Sequence, residues 1–159
     1  MIMKCIIRNM KFSDINTVIE LNTKFLPENY EKEVWIHIFN KYKIHCFVAS
    51  ISNIVVGYIL SGELNGINSI ISIAVENKYR NNNIGLNLIN HCLNSYNYGD
   101  IIKLHCRKNN KAYNLYKKCD FIVEELLEDY YINPTDDAYV MSNKLCKKYI
   151  IHKKLSILI

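Results

Sequence analysis

The sequence predicts a mixed α/β fold with the element order β-α-α-β-β-β-α-β-α-β-β. Three observations predict it: apolar runs of strand length recur along the chain, two helical segments follow the first run, and two further helical segments separate the last strands. The chain has 159 residues, of which 50% are apolar, with only 2 prolines and 5 glycines. This composition suits one compact domain without a long linker.

The N-terminal half begins with a strand predicted over residues 2–8. Ser13 is a suitable N-cap for a following helix, because four apolar residues recur on one side at helical spacing: Ile15, Val18, Ile19 and Leu21. Pro27 ends this helix just after Phe25. A second helix is predicted over 31–40, and three strands follow it, over 44–51, 55–63 and 70–75.

The C-terminal half continues the pattern with a helix, a strand, a helix and two strands. The predicted bounds are 84–94, 101–107, 110–118, 121–129 and 138–144. We assign residues 1–146 to a single domain. Residues 147–159 form a basic and apolar tail that fits a docking segment, an added helix or strand, or a disordered tail; packing or docking is the favoured interpretation.

The turn between the strand at 70–75 and the helix at 84–94 has the composition of an anion-binding site. A helix N-terminus leaves backbone N–H groups unpaired and carries about half a positive charge, and Arg80 adds a full charge beside it. Neither G-x-x-x-x-G-K-[ST] nor G-x-G-x-x-G occurs, which argues against a P-loop NTPase and a Rossmann dehydrogenase. Taken alone, the stretch also fits an ordinary strand-to-helix connection.

The same turn contains Arg80-x-x-Asn83-x-Gly85. It resembles the acetyl-coenzyme A signature Q/R-x-x-G-x-G/A of the Gcn5-related N-acetyltransferase (GNAT) superfamily. Asn83 replaces the first glycine, and asparagine tolerates left-handed backbone angles, so the turn can be kept. Residues 104–121 resemble the strand, Asn-bearing loop and helix that complete the acetyl-CoA cleft, with an ending typical of the superfamily: Leu115-Tyr116 and then Phe121.

Two further segments narrow the resemblance to the catalytic subunit of the N-terminal acetyltransferase A complex and its archaeal relatives. They are Leu26-Pro-Glu-Asn-Tyr30 after the first helix, and Tyr130-Tyr131 followed by residues 137–141. The likeness covers residues 1–145. It implies the mixed sheet of the GNAT fold, acetyl-CoA as cosubstrate, no metal, and peptide N-termini as acceptors.

The resemblance also implies where cosubstrate and acceptor bind. Cosubstrate contacts are expected from the strand end, the turn and the second loop and helix: Ile73, Ala74, Val75, Arg80, Asn81, Asn82, Asn83, Ile84, Gly85, Asn110 and Tyr116. The peptide N-terminus is expected at five residues: Leu26, Glu28, Tyr30, Tyr130 and Tyr131. Backbone N–H groups near Ala74 and Val75 are expected to polarise the thioester carbonyl.

Two residues are the candidate catalysts. Alternation along 101–107 places His105 away from the apolar face, and related acetyltransferases have a glutamate or histidine base at the matching position; the alternative is a surface histidine. Tyr116 fits a core tyrosine or, as the resemblance implies, the general acid beside the coenzyme sulfur. Asn110 fits a helix cap, a coenzyme ligand or both. Some relatives have tyrosine or histidine at Ser69, so catalytic help from that side is expected to be absent or water-mediated.

Physical chemistry favours an α-amine acceptor over a lysine side chain. Attack on a thioester needs a neutral amine, and an α-amine titrates at about 7.7–8.0 against about 10.4 for lysine, a gap that costs about 3.5 kcal/mol in deprotonation. Direct attack in a ternary complex is therefore expected. Two alternatives stay open. One is a lysine, polyamine or small-amine acetyltransferase. The other is a weakened GNAT-like subunit that mainly binds a partner, which is suggested by the departures from the family pattern at Asn83 and Ser69.

Charge and cysteine content limit the partners and the location. The net charge is +5 and the basic residues are scattered, so no specific nucleic-acid binding is indicated, while ribosome contact is left open. The resemblance leaves open a large helical auxiliary subunit as a further partner. The 6 cysteines form no C-x-x-C pair, which favours reduced thiols over a disulfide or zinc framework. No signal-peptide core or membrane-length apolar run occurs, so a soluble cytoplasmic protein without membrane association is expected.

Overall fold

The computed structural model describes residues 1–152 and 154–158, and it has the predicted mixed α/β architecture with every predicted element present. None of the helices in the described ranges has the length and apolar character needed to cross a membrane. The elements are β1 (Ile2–Asn9), α1 (Ile15–Phe25), α2 (Lys32–Tyr42), β2 (Phe47–Ile51), β3 (Ile54–Leu64), β4 (Ile67–Val75), α3 (Ile84–Asn94), β5 (Ile101–Arg107), α4 (Ala112–Lys118), β6 (Ile122–Ile132), β7 (Thr135–Lys144) and β8 (Lys154–Leu158).

The strands form one sheet in the order β6-β7-β5-β4-β3-β2-β1-β8. All neighbouring pairs are antiparallel except β4 and β5, which are parallel. Helices α1 and α2 cover one face over a core that includes Trp35 and Tyr58. Helices α3 and α4 cover the other face over a core that includes Leu88 and Phe121. The molecule therefore has three layers, with the sheet in the middle.

The one parallel pair of strands diverges. β4 and β5 are in register at a single pair, Ser69 with Lys103. In β4 the pairing with β3 also shifts, because Leu60 faces Ser72 while the next residue of β3 faces Ile70, which leaves Ile71 as an extra residue. Such a bulge bends its strand. The C-terminal ends of β4 and β5 therefore lie apart, and an opening forms between them.

The start of α1 differs from the prediction. Ser13 is not its N-cap, because a 3-10 turn over Phe12–Asp14 precedes the helix. The Asp14 carboxylate is held outside the capping position by the Arg8 guanidinium, which donates to it at 2.7 and 2.9 Å. The Lys11 backbone N–H donates to the same carboxylate at 2.7 Å. A tertiary ion pair thus decides where this helix begins.

The strand predicted over 44–51 begins later than expected. Residues Lys43–His45 form a 3-10 turn, and β2 starts at Phe47. The His45 ring stacks on Tyr96 at the end of α3, with centroids 3.7 Å apart, and its Nδ1 lies 2.7 Å from the Ser95 hydroxyl. These contacts come from residues 50 positions away in sequence, so local pattern could not reveal them.

Part of the tail forms an added strand. β8 pairs with β1 in antiparallel register, with Cys5 opposite Leu155 and Ile2 opposite Leu158. Ile157 is fully buried and Ser156 is exposed, which is the alternation of a strand packed on one side. Of the interpretations left open for the tail, the added strand is the one observed over 154–158. Residues 153 and 159 lie outside the described residues.

The buried side chain of Ile157 gives a stability test of this strand. Ile157→Ala should lower the free energy of unfolding by about 2–4 kcal/mol, because it removes buried methyl groups and leaves a cavity. Ser156→Ala is the matched control and should change it by less than about 0.5 kcal/mol. Urea unfolding followed by circular dichroism measures both. Equal stability of the two variants would contradict the packing of β8.

Candidate active site

The open edge of β4 presents backbone groups without a strand partner. The Glu76 N–H donates to the Val56 carbonyl on β3 at 2.8 Å. Because N–H directions alternate along a strand, the Ala74 N–H also points to β3, whereas those of Ile73 and Val75 point toward β5. β5 has already diverged at this level, so within the described chain no strand takes up these two groups. Of the two N–H groups expected to polarise a thioester carbonyl, only that of Val75 faces the opening.

Arg80 lies at the end of this edge. Its Nε donates to the Val75 carbonyl at 2.8 Å, and its guanidinium carbon lies 5.2 Å from the centre of the Phe25 ring. The backbone bond and the cation–π contact fix the position of the guanidinium. A fixed positive charge is therefore held where β4 gives way to the turn.

The turn after β4 is built by three consecutive asparagines. Asn81 and Asn83 have positive φ angles of 61° and 60°, so Asn83 adopts the left-handed conformation that its residue type predicts. The Asn82 amide donates to the carbonyls of Tyr79 and Arg80 at 3.2 and 3.0 Å and closes the turn. The Asn83 side chain makes no capping bond at the start of α3. The first N–H groups of α3 are therefore available to an anion.

The first turn of α3 and the start of α4 lie close together. A Cβ on Gly85 would lie 3.0 Å from a methyl group of Leu115 on α4, so glycine here permits the approach of the two helices. Ile84 is buried, and any contact it makes with an anion is through its backbone N–H. The N-cap residue of α4 is Lys111, and the Asn110 side-chain oxygen, one position earlier, accepts a bond from the Ala112 N–H at 2.8 Å. A coenzyme contact of Asn110 stays a prediction.

Tyr116 lies on α4, on the α3 and α4 side of the sheet. Its side chain is buried and packs edge-on against Phe121, with centroids 6.0 Å apart. Burial raises the pKa of the Tyr116 hydroxyl well above its ordinary value, and the nearby Cys106 and Tyr131 raise it further. No described residue hydrogen-bonds to this hydroxyl. Tyr116 is therefore a phenol that stays protonated near neutral pH.

His105 lies on the opposite face of β5. The buried residues of this strand alternate with Lys103, His105 and Arg107, as predicted. The imidazole is exposed at its edge, but one ring face is covered by Tyr130, with centroids 4.9 Å apart and planes 1° from parallel. Desolvation and then the Lys103 charge lower the pKa of His105 below its usual value. The ring is therefore neutral at pH 7 and able to accept a proton.

The loop between α1 and α2 faces the β6–β7 hairpin across this surface. Desolvation raises the pKa of Tyr30 in the loop, and the neighbouring groups of Tyr130 and Glu28 raise it further. Tyr30 also packs edge-on against Trp35 at 6.4 Å, and Leu26 packs on the α1 and α2 core. The residues predicted at the acceptor mouth therefore lie together, although they come from two distant segments.

Arg107 joins the two sides of this mouth. Its Nε and one terminal nitrogen donate to the same oxygen of Glu28 at 3.0 and 2.5 Å. The other terminal nitrogen donates to the Pro134 carbonyl at the hairpin tip at 2.7 Å. The guanidinium carbon lies 4.0 Å from the centre of the Tyr131 ring. One side chain, 11% exposed, thus holds the loop, the hairpin and the end of β5 together.

Sequence reasoning placed Arg107 on the His105 face but gave it no role. The only local signal was that alternation. Its carboxylate partner lies 79 positions away, and its carbonyl acceptor belongs to a hairpin tip whose shape was not predictable.

The predicted residues surround the opening between β4 and β5 on three sides. The turn and the start of α3 lie at one end, the acceptor mouth lies on the α1 and α2 side, and Tyr116 lies on the other side. His105 and Tyr116 are on opposite faces of β5. Ile73 and Ala74 likewise direct their side chains to opposite cores, so Ala74 contributes to the α1 and α2 side instead of the Tyr116 side.

Comparisons with known proteins agree on one family. The model of the acetyltransferase (GNAT) family matches residues 15–121. The N-alpha-acetyltransferase of Sulfurisphaera tokodaii is 31% identical over 155 residues, which cover 87% of this chain and 92% of the relative. The N-alpha-acetyltransferase of Saccharolobus solfataricus is 32% identical with the same coverage.

Solved structures share the fold. Ard1 from Thermoplasma volcanium has a TM-score of 0.79 at 22% identity, covering 90% of this chain and 99% of that one. Arabidopsis thaliana Naa50, solved in complex with the bisubstrate analogue CoA-Ac-MVNAL, has a TM-score of 0.74 at 27% identity, covering 89% of this chain and 99% of that one.

The bridging role of Arg107 is testable by hydrogen exchange. Arg107→Lys keeps the charge but loses the planar guanidinium, whose separate N–H groups donate to Glu28 and to the hairpin tip at the same time. The amides of Ile132 and Thr135 should then exchange about tenfold faster, since one charge-assisted bond contributes about 1.5 kcal/mol. Lys108→Met is the control, because it removes an exposed ion pair to Asp137 in the same hairpin. Equal exchange in both variants would contradict the bridge.

Proposed function

The chain belongs to the GNAT acetyltransferase family and is an acetyl-CoA-dependent acetyltransferase; we propose that its acceptor is the α-amine of a protein or nascent chain, which attacks directly in a ternary complex. The observation that favours this acceptor is the mouth between the α1–α2 loop and the β6–β7 hairpin. Glu28 and paired tyrosines lie there beside a neutral His105. The N-alpha-acetyltransferase names of relatives above 30% identity support the same acceptor.

The residues around the opening fit acetyl-CoA. Its pantetheine arm is extended and has amide groups, which match the outward-facing backbone groups of Ile73 and Val75. Its pyrophosphate matches the free N–H groups after Asn83 and the fixed charge of Arg80. Acetyl-CoA supplies an acyl group activated as a thioester. The Val75 N–H is placed to donate to its carbonyl oxygen.

Tyr116 has the properties of the general acid. Burial keeps its phenol protonated, so the proton is still present when the thiolate leaves. Its hydroxyl has no bonded partner in the described chain, so the coenzyme sulfur does not compete with another acceptor. The proton would move from the Tyr116 oxygen to that sulfur.

His105 has the properties of the general base. Its lowered pKa keeps the imidazole neutral at pH 7, and the residue is exposed beside Tyr130 of the acceptor mouth. Stacking on Tyr130 fixes the ring plane. The imidazole would remove a proton from the attacking amine, directly or through a water, and pass it to solvent. Ser69 offers no second base, since it is buried and its hydroxyl donates to the Ile67 carbonyl at 3.0 Å.

Glu28 is suited to orient the incoming α-amine. Both Arg107 contacts go to one carboxylate oxygen, which leaves the second oxygen for the acceptor. Tyr130 and Tyr131 lie at right angles with centroids 5.0 Å apart, and their hydroxyl groups would hydrogen-bond the backbone of the acceptor peptide. Leu26 and Tyr30 supply the apolar wall. A large helical auxiliary subunit and ribosome association stay predictions of the resemblance.

Acetyl transfer to a small peptide panel tests the proposed acceptor. Peptides beginning with Ser, Ala, Glu, Asp or Met should be acetylated by the full chain, because the α-amine is neutral to a useful fraction near pH 8. Matched peptides with a blocked N-terminus and an internal lysine should not. Transfer that survives blocking would overturn the α-amine proposal in favour of lysine chemistry. Absence of both transfer and coenzyme binding would favour an interaction subunit.

The role of His105 predicts a defined pH response. His105→Ala should lower kcat by about 100-fold. Because the Lys103 charge depresses the pKa of His105, Lys103→Met should raise that pKa, so the imidazole becomes protonated at a higher pH and the acid limb of kcat moves upward. NMR titration of the His105 ring, assigned with the alanine variant, measures the pKa independently of activity. An unchanged acid limb beside a raised pKa would remove His105 from the chemistry.

A further inference from the structure

Three asparagines on α3 bind the backbone of the C-terminal segment that leads from β7 toward β8. We call residues 147–152 the strap. The Asn94 amide donates to the Tyr149 carbonyl at 2.7 Å, and its oxygen accepts from the Tyr149 N–H at 2.8 Å. Asn87 makes the same two-bond pairing with His152 through its amide and its oxygen, at 2.5 and 3.0 Å. Between them, Asn90 donates to the Ile150 carbonyl at 3.0 Å.

The spacing of these contacts matches the two backbones. Asn87 and Asn94 are two helical turns apart, about 10 Å along the axis of α3. Tyr149 and His152 are three extended residues apart, which also span about 10 Å. The strap therefore runs antiparallel to α3, and the asparagine side chains bond to its peptide groups. Strap side chains add to this attachment, since the Tyr149 hydroxyl accepts from the Asn143 amide at 2.6 Å.

The two ends of this ladder have different neighbours. Asn87 is buried, and its backbone N–H donates to the Asn83 carbonyl at 2.9 Å, which is the bond that closes the first turn of α3. Its side chain is meanwhile fully engaged by His152. Asn94 lies at the last residue of α3, two turns from that site. Among the three asparagines of the ladder, Asn87 is therefore the one that connects the strap to the turn with the left-handed Asn83.

We infer that Asn87 is a positioning residue for acetyl-CoA. By fixing Asn87 from outside the helix, the strap holds the first turn of α3 in the conformation that aims its N–H groups at the pyrophosphate. The inference rests on the proposed binding of that group at Asn83 and Arg80. Asn83 is a non-glycine residue in a conformation that glycine adopts more easily, so the turn needs support from another contact.

Coenzyme affinity separates this role from simple stabilisation. Asn87→Ala in the full chain should raise the Kd for CoA about fivefold, as measured by calorimetry. This is the effect expected when the turn loses about one hydrogen bond that holds it in the binding conformation. The KM for acetyl-CoA should rise with it, while kcat and the KM for the peptide change less than about twofold. Asn94→Ala removes an equivalent pair of bonds from the strap. It should lower Tm by a similar amount and leave the Kd for CoA within about twofold.

A second variant tests whether weaker CoA binding comes from loss of the strap contact or from misfolding of α3. His152→Pro removes the N–H that donates to Asn87 and leaves the helix sequence intact. It should raise the Kd for CoA in the same direction as Asn87→Ala. Agreement of these two variants, with Asn94→Ala unaffected in Kd, supports the positioning role.

Two results would overturn the inference, and they are distinguishable. Equal Kd values for Asn87→Ala and Asn94→Ala, with Arg80→Ala still weakening CoA binding, would make the ladder purely structural and leave the proposed site intact. A Kd for CoA that does not respond to Arg80→Ala would overturn the proposed pyrophosphate site, and this inference with it.

Discussion

The active site is organised by the divergence of β4 from β5. A parallel pair in register at one residue pair leaves the outer edge of β4 with polar backbone groups that no strand of the described residues satisfies. Unpaired buried amides are costly, so such an edge persists where water or a ligand can reach it. The bulge at Ile71 and the two helical layers hold the strands apart and keep the edge open. The sheet thus provides a site for an extended ligand with amide groups.

The same opening explains why acid and base can lie on opposite faces of one strand. Tyr116 is buried on the α3 and α4 side, where desolvation keeps its proton in place. His105 lies on the other side, where desolvation by partial burial and then the charge of Lys103 lower its pKa and keep it neutral. Reactants meet between the strands, so neither group has to cross the sheet. On the His105 side, Arg107 at the end of β5 bonds both to Glu28 and to the hairpin tip, and it thereby holds the two walls of the acceptor mouth together.

Asparagine has several distinct structural roles around the opening. Asn83 supplies a left-handed angle without glycine, and the Asn110 side-chain oxygen accepts from the Ala112 N–H at the start of α4. On the α1 and α2 side, Asn22 donates to both the Tyr58 and the Ser72 hydroxyls at 3.0 and 3.1 Å, in a buried triangle that joins α1 to β3 and β4. Each role uses the short side chain to permit a turn or to satisfy a polar group. Together with the strap ladder, these contacts hold turns and neighbouring elements together through polar groups.

The element order, the alternation that exposes His105 and buries Cys106, and the left-handed turn at Asn83 were predictable from the amino-acid sequence, because hydrophobic periodicity and the conformational preference of a residue are local properties. The folded structure was needed to reveal where β2 begins, that 154–158 joins the sheet, and that Arg107 bridges Glu28 to the hairpin. These outcomes depend on partners tens of residues apart in the chain, such as His45 with Tyr96 or β8 with β1. The start of α1 depends on a nearer contact, the ion pair of Asp14 with Arg8 six positions before it. Pairing across tens of residues is set by how the layers pack, and a local sequence pattern does not reveal which distant residues come into contact.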